Sequence, residues 1–178
     1  MKRSNGCRTC SRNRNAFQAS AYQKVPESHF TESHRRMQRN IAFASYKMDA
    51  AWKNVSVEPG GILDFAHNFS SDGDYITRVA PGEYRLSEPG VYLANLQLHM
   101  LHPGQIVFVV NGEEQFDSVA GSSAENALLR SFYIIRAENA DSVLSVCNPM
   151  QSLRSLTVSA YTGGGLSVTS DLFIIKLL

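Results

Sequence analysis

Cys7 and Cys10 stand two residues apart, and His29 and His34 follow with four residues between them. Zinc takes four sulfur or imidazole ligands in a tetrahedron, and finger domains supply them through Cys-x2-Cys and His-x3–5-His spacings. Here eighteen residues separate Cys10 from His29, more than the usual spacing of about twelve to fifteen. The apolar residues that core a finger are also missing. The pair therefore reads as two thiols close to a terminus, placed to reach another subunit. Cys147 is the third cysteine, and an odd count leaves a free thiol or bonds between chains. Cys7, Cys10 and Cys147 are the candidates for interchain disulfides.

Other residues offer weaker chemistry. Asp72-Gly73-Asp74 could present oxygens to a hard cation, but two carboxylates around a glycine more commonly make a turn. His99 and His102 flank Met100-Leu101, with no Gly-x-Ser-x-Gly elbow anywhere to supply a nucleophile, and read as structural or surface histidines. Gly163-Gly164-Gly165 lacks the Lys-Ser/Thr ending of a phosphate loop and reads as a flexible corner. Asn54-Val-Ser and Asn68-Phe-Ser are formal glycosylation sites, which matter only in a eukaryotic secretory setting. No paired carboxylates, triad, metal set or cofactor motif emerges. The expectation is a protein that is not an enzyme, with no catalytic residues, no metal and no cofactor.

The elements around these residues fall into two parts. Residues 1–40 hold nine basic side chains against two acidic ones, a surplus of seven, whereas the other 138 residues hold eight of the 17 basic groups and fourteen of the 16 acidic ones, a deficit of six. Such a split marks an arm that seeks a negative partner. The arm has no period of 2 or 3.6, so it reads as irregular. From residue 41 onward, short apolar runs alternate with turn clusters, the pattern of an all-β sandwich or barrel. The expected strands are 41–46, 62–68, 75–79, 83–86, 90–100, 105–110, 114–119, 127–136, 142–147, 155–160 and 172–177. Pro81-Gly82, Pro89-Gly90 and Pro103-Gly104 mark turns, and Asn111-Gly112 predicts a tight hairpin joining 105–110 to 114–119. The apolar runs are far shorter than the ~20 residues that cross a bilayer, and the polar start shows no secretory signal.

Several motifs carry a resemblance. They run Tyr75-Ile-Thr-Arg-Val-Ala-Pro-Gly82, Tyr84-Arg-Leu-Ser, Glu88-Pro-Gly-Val-Tyr92, Val110-Asn-Gly112, Val146-Cys-Asn148, Leu156-Thr-Val-Ser and the terminal Ser170-Asp-Leu-Phe-Ile-Ile-Lys-Leu177. In this order and spacing, residues 41–178 resemble the globular domain of BclA-like proteins, collagen-stalked glycoproteins of bacterial spore surfaces within the tumour-necrosis-factor and complement globular-head superfamily. The resemblance implies a ten-stranded jelly-roll sandwich and a homotrimer around a three-fold axis. The Gly-X-Y stalk of those proteins is absent, since Gly6 is the only glycine before Gly60; the arm must do the work of the stalk, or some other work.

The expected function is structural. Trimers assemble into a spore-surface layer or appendage fibre, outside the cell without a classical signal peptide, with other copies and other spore-surface proteins as partners. Neither a membrane nor nucleic acid is an expected partner. Arg8, Arg12 and Arg14 would steer the arm to the acidic domain of another trimer, and Phe17, Tyr22, Val25 and Phe30 would anchor it. Phe43, Phe65, Phe69, Tyr92, Phe108, Phe132 and Tyr133 outnumber what one thin sandwich buries, so strand faces on both sides should be covered. The alternatives are a capsid-like jelly roll whose basic arm binds nucleic acid, and a soluble ligand of the tumour-necrosis-factor kind.

Overall fold

The computed structural model describes residues 41–49, 53–71, 74–161 and 168–178. The chain divides into two units, Met1–Gln38 and Arg39–Leu178, and the described strands all lie in the second. Residues 1–40, which carry Cys7, Cys10 and every arm-docking candidate, lie outside the described residues.

Twelve strands are described: β1 (Phe43–Asp49), β2 (Val55–Val57), β3 (His67–Ser71), β4 (Ile76–Ala80), β5 (Glu83–Leu86), β6 (Gly90–Met100), β7 (Gly104–Val110), β8 (Glu113–Ser122), β9 (Ala127–Ala137), β10 (Ser142–Cys147), β11 (Leu156–Val158) and β12 (Val168–Lys176). Ten of them have four residues or more; β2 and β11 have three. All pairings are antiparallel and form two sheets. The seven-stranded sheet runs β2-β11-β6-β12-β1-β3, and β9 lies along the opposite side of β6. The five-stranded sheet runs β4-β5-β10-β7-β8. This is the jelly-roll sandwich expected from the sequence, and no helix occurs among the described residues.

Alternation builds the core. On β6 the side chains of Tyr92, Ala94, Leu96, Leu98 and Met100 are fully buried, and Leu172 and Ile174 of β12 join them from the neighbouring strand. Ile106, Phe108, Leu144 and Val146 pack from the facing sheet. Each large apolar side chain buried this way contributes about 1.5–3 kcal/mol. The rings of Tyr46 and Tyr84 meet with centroids 4.6 Å apart. Their hydroxyls are not left dry: Tyr46 donates to the Ile76 carbonyl and Tyr84 to that of Phe65. Burial raises both tyrosine pKa values, so both stay neutral donors.

The Asn111-Gly112 hairpin forms as expected. Both residues have positive φ, 52° and 83°, and β7 pairs β8 across them through Val110 and Glu113.

The 62–68 strand does not form as such, because β3 begins only at His67. Ile62 makes an isolated bridge to Cys147, and Leu63 N–H donates to the Val146 carbonyl. At Phe65 the Tyr84 hydroxyl takes over the backbone, accepting from its N–H at 2.9 Å and donating to its carbonyl at 3.1 Å. Leu63 and Phe65 are both fully buried, so the segment alternates like a strand while a side chain takes the place of a strand partner at Phe65.

Candidate assembly surface

The side chains of β6 that do not enter the core, Val91, Leu93, Asn95, Gln97 and His99, point to the opposite face of the seven-stranded sheet. The register aligns this face into rows across β9, β6, β12 and β1. One row is Ile134, Leu93, Ile175 and Phe43; the next is Phe132, Asn95, Phe173 and Ser45; a third is Arg130, Gln97, Asp171 and Lys47. Leu128 lies opposite His99 beyond them.

The first row is wholly apolar, and the second sets Phe132 and Phe173 beside Asn95 and Ser45. Phe132 is 72% exposed, and Ile134 and Leu128 are close to half exposed. Phe43 and Phe173 stack with centroids 6.2 Å apart, forming a continuous aromatic surface between β1 and β12. Exposed apolar side chains scattered singly are ordinary, but a contiguous set on one sheet face marks an interaction surface.

The third row is charged. Lys47 lies 3.9 Å from Asp171 and also sits over the ring of Phe69, 5.1 Å from its centroid. Arg130 has no ion pair among the described residues. Next to this row, His99 is partly buried, and its Nδ1 has no hydrogen-bond partner among the described residues.

The aromatics singled out from sequence divide between the two faces. Phe65, Tyr92 and Phe108 are core residues, and Tyr133 stacks on Phe108 with centroids 5.7 Å apart. Phe43 and Phe132 belong to the outer face, and Phe69 lies exposed on the β3 edge strand. Sequence reasoning did not single out Leu93, Ile134, Phe173 and Ile175. Their signal was available: Val91-Tyr-Leu93, Phe132-Tyr-Ile-Ile135 and Phe173-Ile-Ile175 are apolar at both parities, as strands covered on both faces are.

Cys147 is a free, buried thiol, packed with Val107 and Val109 on the outer side of the five-stranded sheet. Burial, with the nearby Glu114 carboxylate, pushes its pKa up to about 11. A neutral, covered thiol is a poor nucleophile, so this cysteine is not presented for exchange as folded. His102 Nδ1 lies 2.7 Å from an oxygen of Glu125 at the exposed end of the domain. Of the 72–74 turn only Asp74 is described, and its carbonyl accepts from Ser87 Oγ. Among the described residues, no group of three or more His, Cys, Asp and Glu is placed to share an ion.

No family model matches the sequence, and no curated protein matches it. Solved structures do resemble the fold. Eiger TNF from S. frugiperda superposes with a TM-score of 0.55 at 16% identity, covering 78% of this chain and 93% of that one. The globular domain of zebrafish complement 1qA gives 0.52 at 8% identity, covering 77% and 97%. Murine APRIL gives 0.51 at 13% identity, covering 77% and 99%. At such identities the likeness speaks for fold alone: the described domain has the jelly-roll fold of complement and tumour-necrosis-factor globular heads.

Proposed function

We propose that the protein is a non-enzymatic, homotrimeric structural unit. Three copies press the outer faces of their seven-stranded sheets together around a three-fold axis. Residues 1–40 then join trimers into a bacterial spore-surface layer or appendage fibre. The observation that carries this reading is the two adjoining rows, Ile134-Leu93-Ile175-Phe43 and Phe132-Asn95-Phe173-Ser45, which bring six apolar side chains onto one sheet face. An obligate interface resembles a domain core cut in half, and these rows have that character. The spore-surface setting draws on the BclA-like motifs, and the linking role on the charge split between the arm and the rest of the chain. Interchain disulfides fall to Cys7 and Cys10, because Cys147 is covered.

A second reading has equal standing on fold: a soluble ligand of the tumour-necrosis-factor kind, favoured by the likeness to Eiger TNF and APRIL. The two readings share the trimer and differ in what the arm does. Negative-stain electron microscopy of the purified chain, with and without reductant, separates them. Fibres or sheets that are lost when residues 1–38 are removed support the structural reading. Discrete trimers at every concentration, with or without the arm, overturn it in favour of the ligand. Ordered particles that form only with added nucleic acid overturn it in favour of a capsid-like protein.

A further inference from the structure

One border of the sandwich is open. β9 pairs only with β6 and β8 only with β7, so along this border each sheet ends in a strand with an unpaired side among the described residues. Among the described residues, no backbone-to-backbone hydrogen bond outside the ladders reaches either strand. The two strands are linked by side chains instead, with the Tyr133 hydroxyl 3.5 Å from Gln115 Oε1. Unpaired edges of this length are templates for another strand unless something covers them.

A groove of about 540 Å3 runs between the two edges, lined among others by Glu113, Gln115 and Asp117 of β8, Tyr133 and Arg136 of β9, and Glu138 just beyond it. Three carboxylates thus share the groove with one guanidinium, and none of the four forms an ion pair among the described residues. The groove asks for an extended, basic occupant.

The chain contains one. Between residues 7 and 15 it carries Arg8, Arg12 and Arg14 and no acidic residue. Their positions are all even, so in an extended segment the three arginines lie on one face. Glu113 and Asp117 stand on either side of Gln115, with Asp117 in the irregular stretch of β8 between Gln115 and Ala120. Opposite charges on neighbouring strands attract. Arginine also binds carboxylates through two parallel hydrogen bonds.

We propose that the β8/β9 groove receives the 8–14 segment of a second copy as an added strand, with Arg8, Arg12 and Arg14 meeting Glu113, Asp117 and Glu138. The inference rests on the reading that the arm joins trimers, and it names the surface the arm reaches. Main-chain hydrogen bonds along the edge give the joint its strength, and the opposite charges draw the segment to the groove.

The test uses the full-length chain and the polymer fraction measured by sedimentation velocity in low salt. Glu113→Arg, Asp117→Arg and Glu138→Arg together should cut that fraction by about tenfold while leaving trimers and the β-sheet circular dichroism intact. Adding Arg8→Glu, Arg12→Glu and Arg14→Glu to the same chain should restore it. The milder Glu113→Gln, Asp117→Asn and Glu138→Gln set, which keeps shape and removes charge, should give a smaller loss in the same direction. If both groove variants polymerise like the parent while the arm triple variant does not, the arm works at another surface and the inference fails, although arm-driven assembly stands. If removing residues 1–38 leaves polymers unchanged, arm-driven assembly itself fails and the inference with it.

Discussion

Arg78 holds Asp64 through two parallel hydrogen bonds, Nε to Oδ1 at 2.9 Å and Nη2 to Oδ2 at 2.6 Å. The same Oδ1 accepts the backbone N–H of Gly82 at 2.8 Å. One carboxylate thereby ties the irregular stretch before β3 to β4 and to the turn that enters β5. The Asp64 hydrogen bond is the main reason the Arg78 pKa is raised, with burial working against it.

The pair is partly exposed, at 29% and 34% of the side chains, so its Coulombic part is screened and geometry matters more than charge. Asp64→Ala removes three hydrogen bonds and should cost about 1–3 kcal/mol in urea unfolding. Asp64→Asn keeps an acceptor for Gly82 and should cost less. Equal losses for the two variants would mean that the turn contact contributes nothing.

Gly82 and Gly112 both have positive φ, 70° and 83°, but their surroundings differ. A Cβ on Gly82 would overlap Ile62 Cγ2 and lie 2.7 Å from the Leu63 carbonyl oxygen, whereas one on Gly112 meets nothing within 4 Å. Gly112→Ala should therefore cost only the left-handed penalty of about 1–2 kcal/mol. Gly82→Ala adds steric displacement of the 62–63 backbone and should cost distinctly more. Thermal melts of the two variants side by side make the comparison, and indistinguishable midpoints would contradict it.

Cys147 should stay silent toward a thiol reagent in the native protein. In a chain carrying Cys7→Ser and Cys10→Ser, no thiol should react at pH 8 until denaturant is added, after which one should. Fast native reaction would show that the strand opens. Folding raises this thiol from its ordinary 9.0 to about 11. Its contribution to stability is thus fully present below about pH 9, because unfolded chains lose the proton first as pH climbs. That contribution disappears between roughly pH 9 and 11. Cys147→Ala should flatten the stability profile over that window.

Much of the fold was legible because turn chemistry and alternation agreed. Asn111-Gly112 marked a hairpin that forms, and β5, β6 and β10 begin and end where the sequence reading placed them. The failures have local causes. Residues 62–66 alternate because Leu63 and Phe65 enter the core, but alternation reports side-chain direction and is blind to whether the backbone partner is a strand or a tyrosine hydroxyl. β2 has three residues, too few for a period to show. The assembly face was legible only in part. Counting aromatics indicated that more apolar surface existed than one core needs, but assigning Leu93 and Ile175 to the outer face required the cross-strand register. The arm residues from Arg8 to Phe30 are a reading of charge and residue type, and they lie outside the described residues.

Phe132 is largely exposed at the end of the second row, and Ile134 lies two residues along the same strand. Replacing both by aspartate places charge on a face whose cations are Arg130, Arg136 and the Asp171-paired Lys47. The double variant should fold, since neither residue enters the core, and should no longer associate. A folded double variant that keeps the parental mass would move the interface elsewhere.

The central claim is the trimer, and its most direct measurement is the light-scattering mass of a chain lacking residues 1–40 at micromolar concentration. The account predicts three chains per particle, unchanged on dilution through that range and on raising salt, because the interface is apolar rather than ionic. A stable, folded particle of one chain would contradict it.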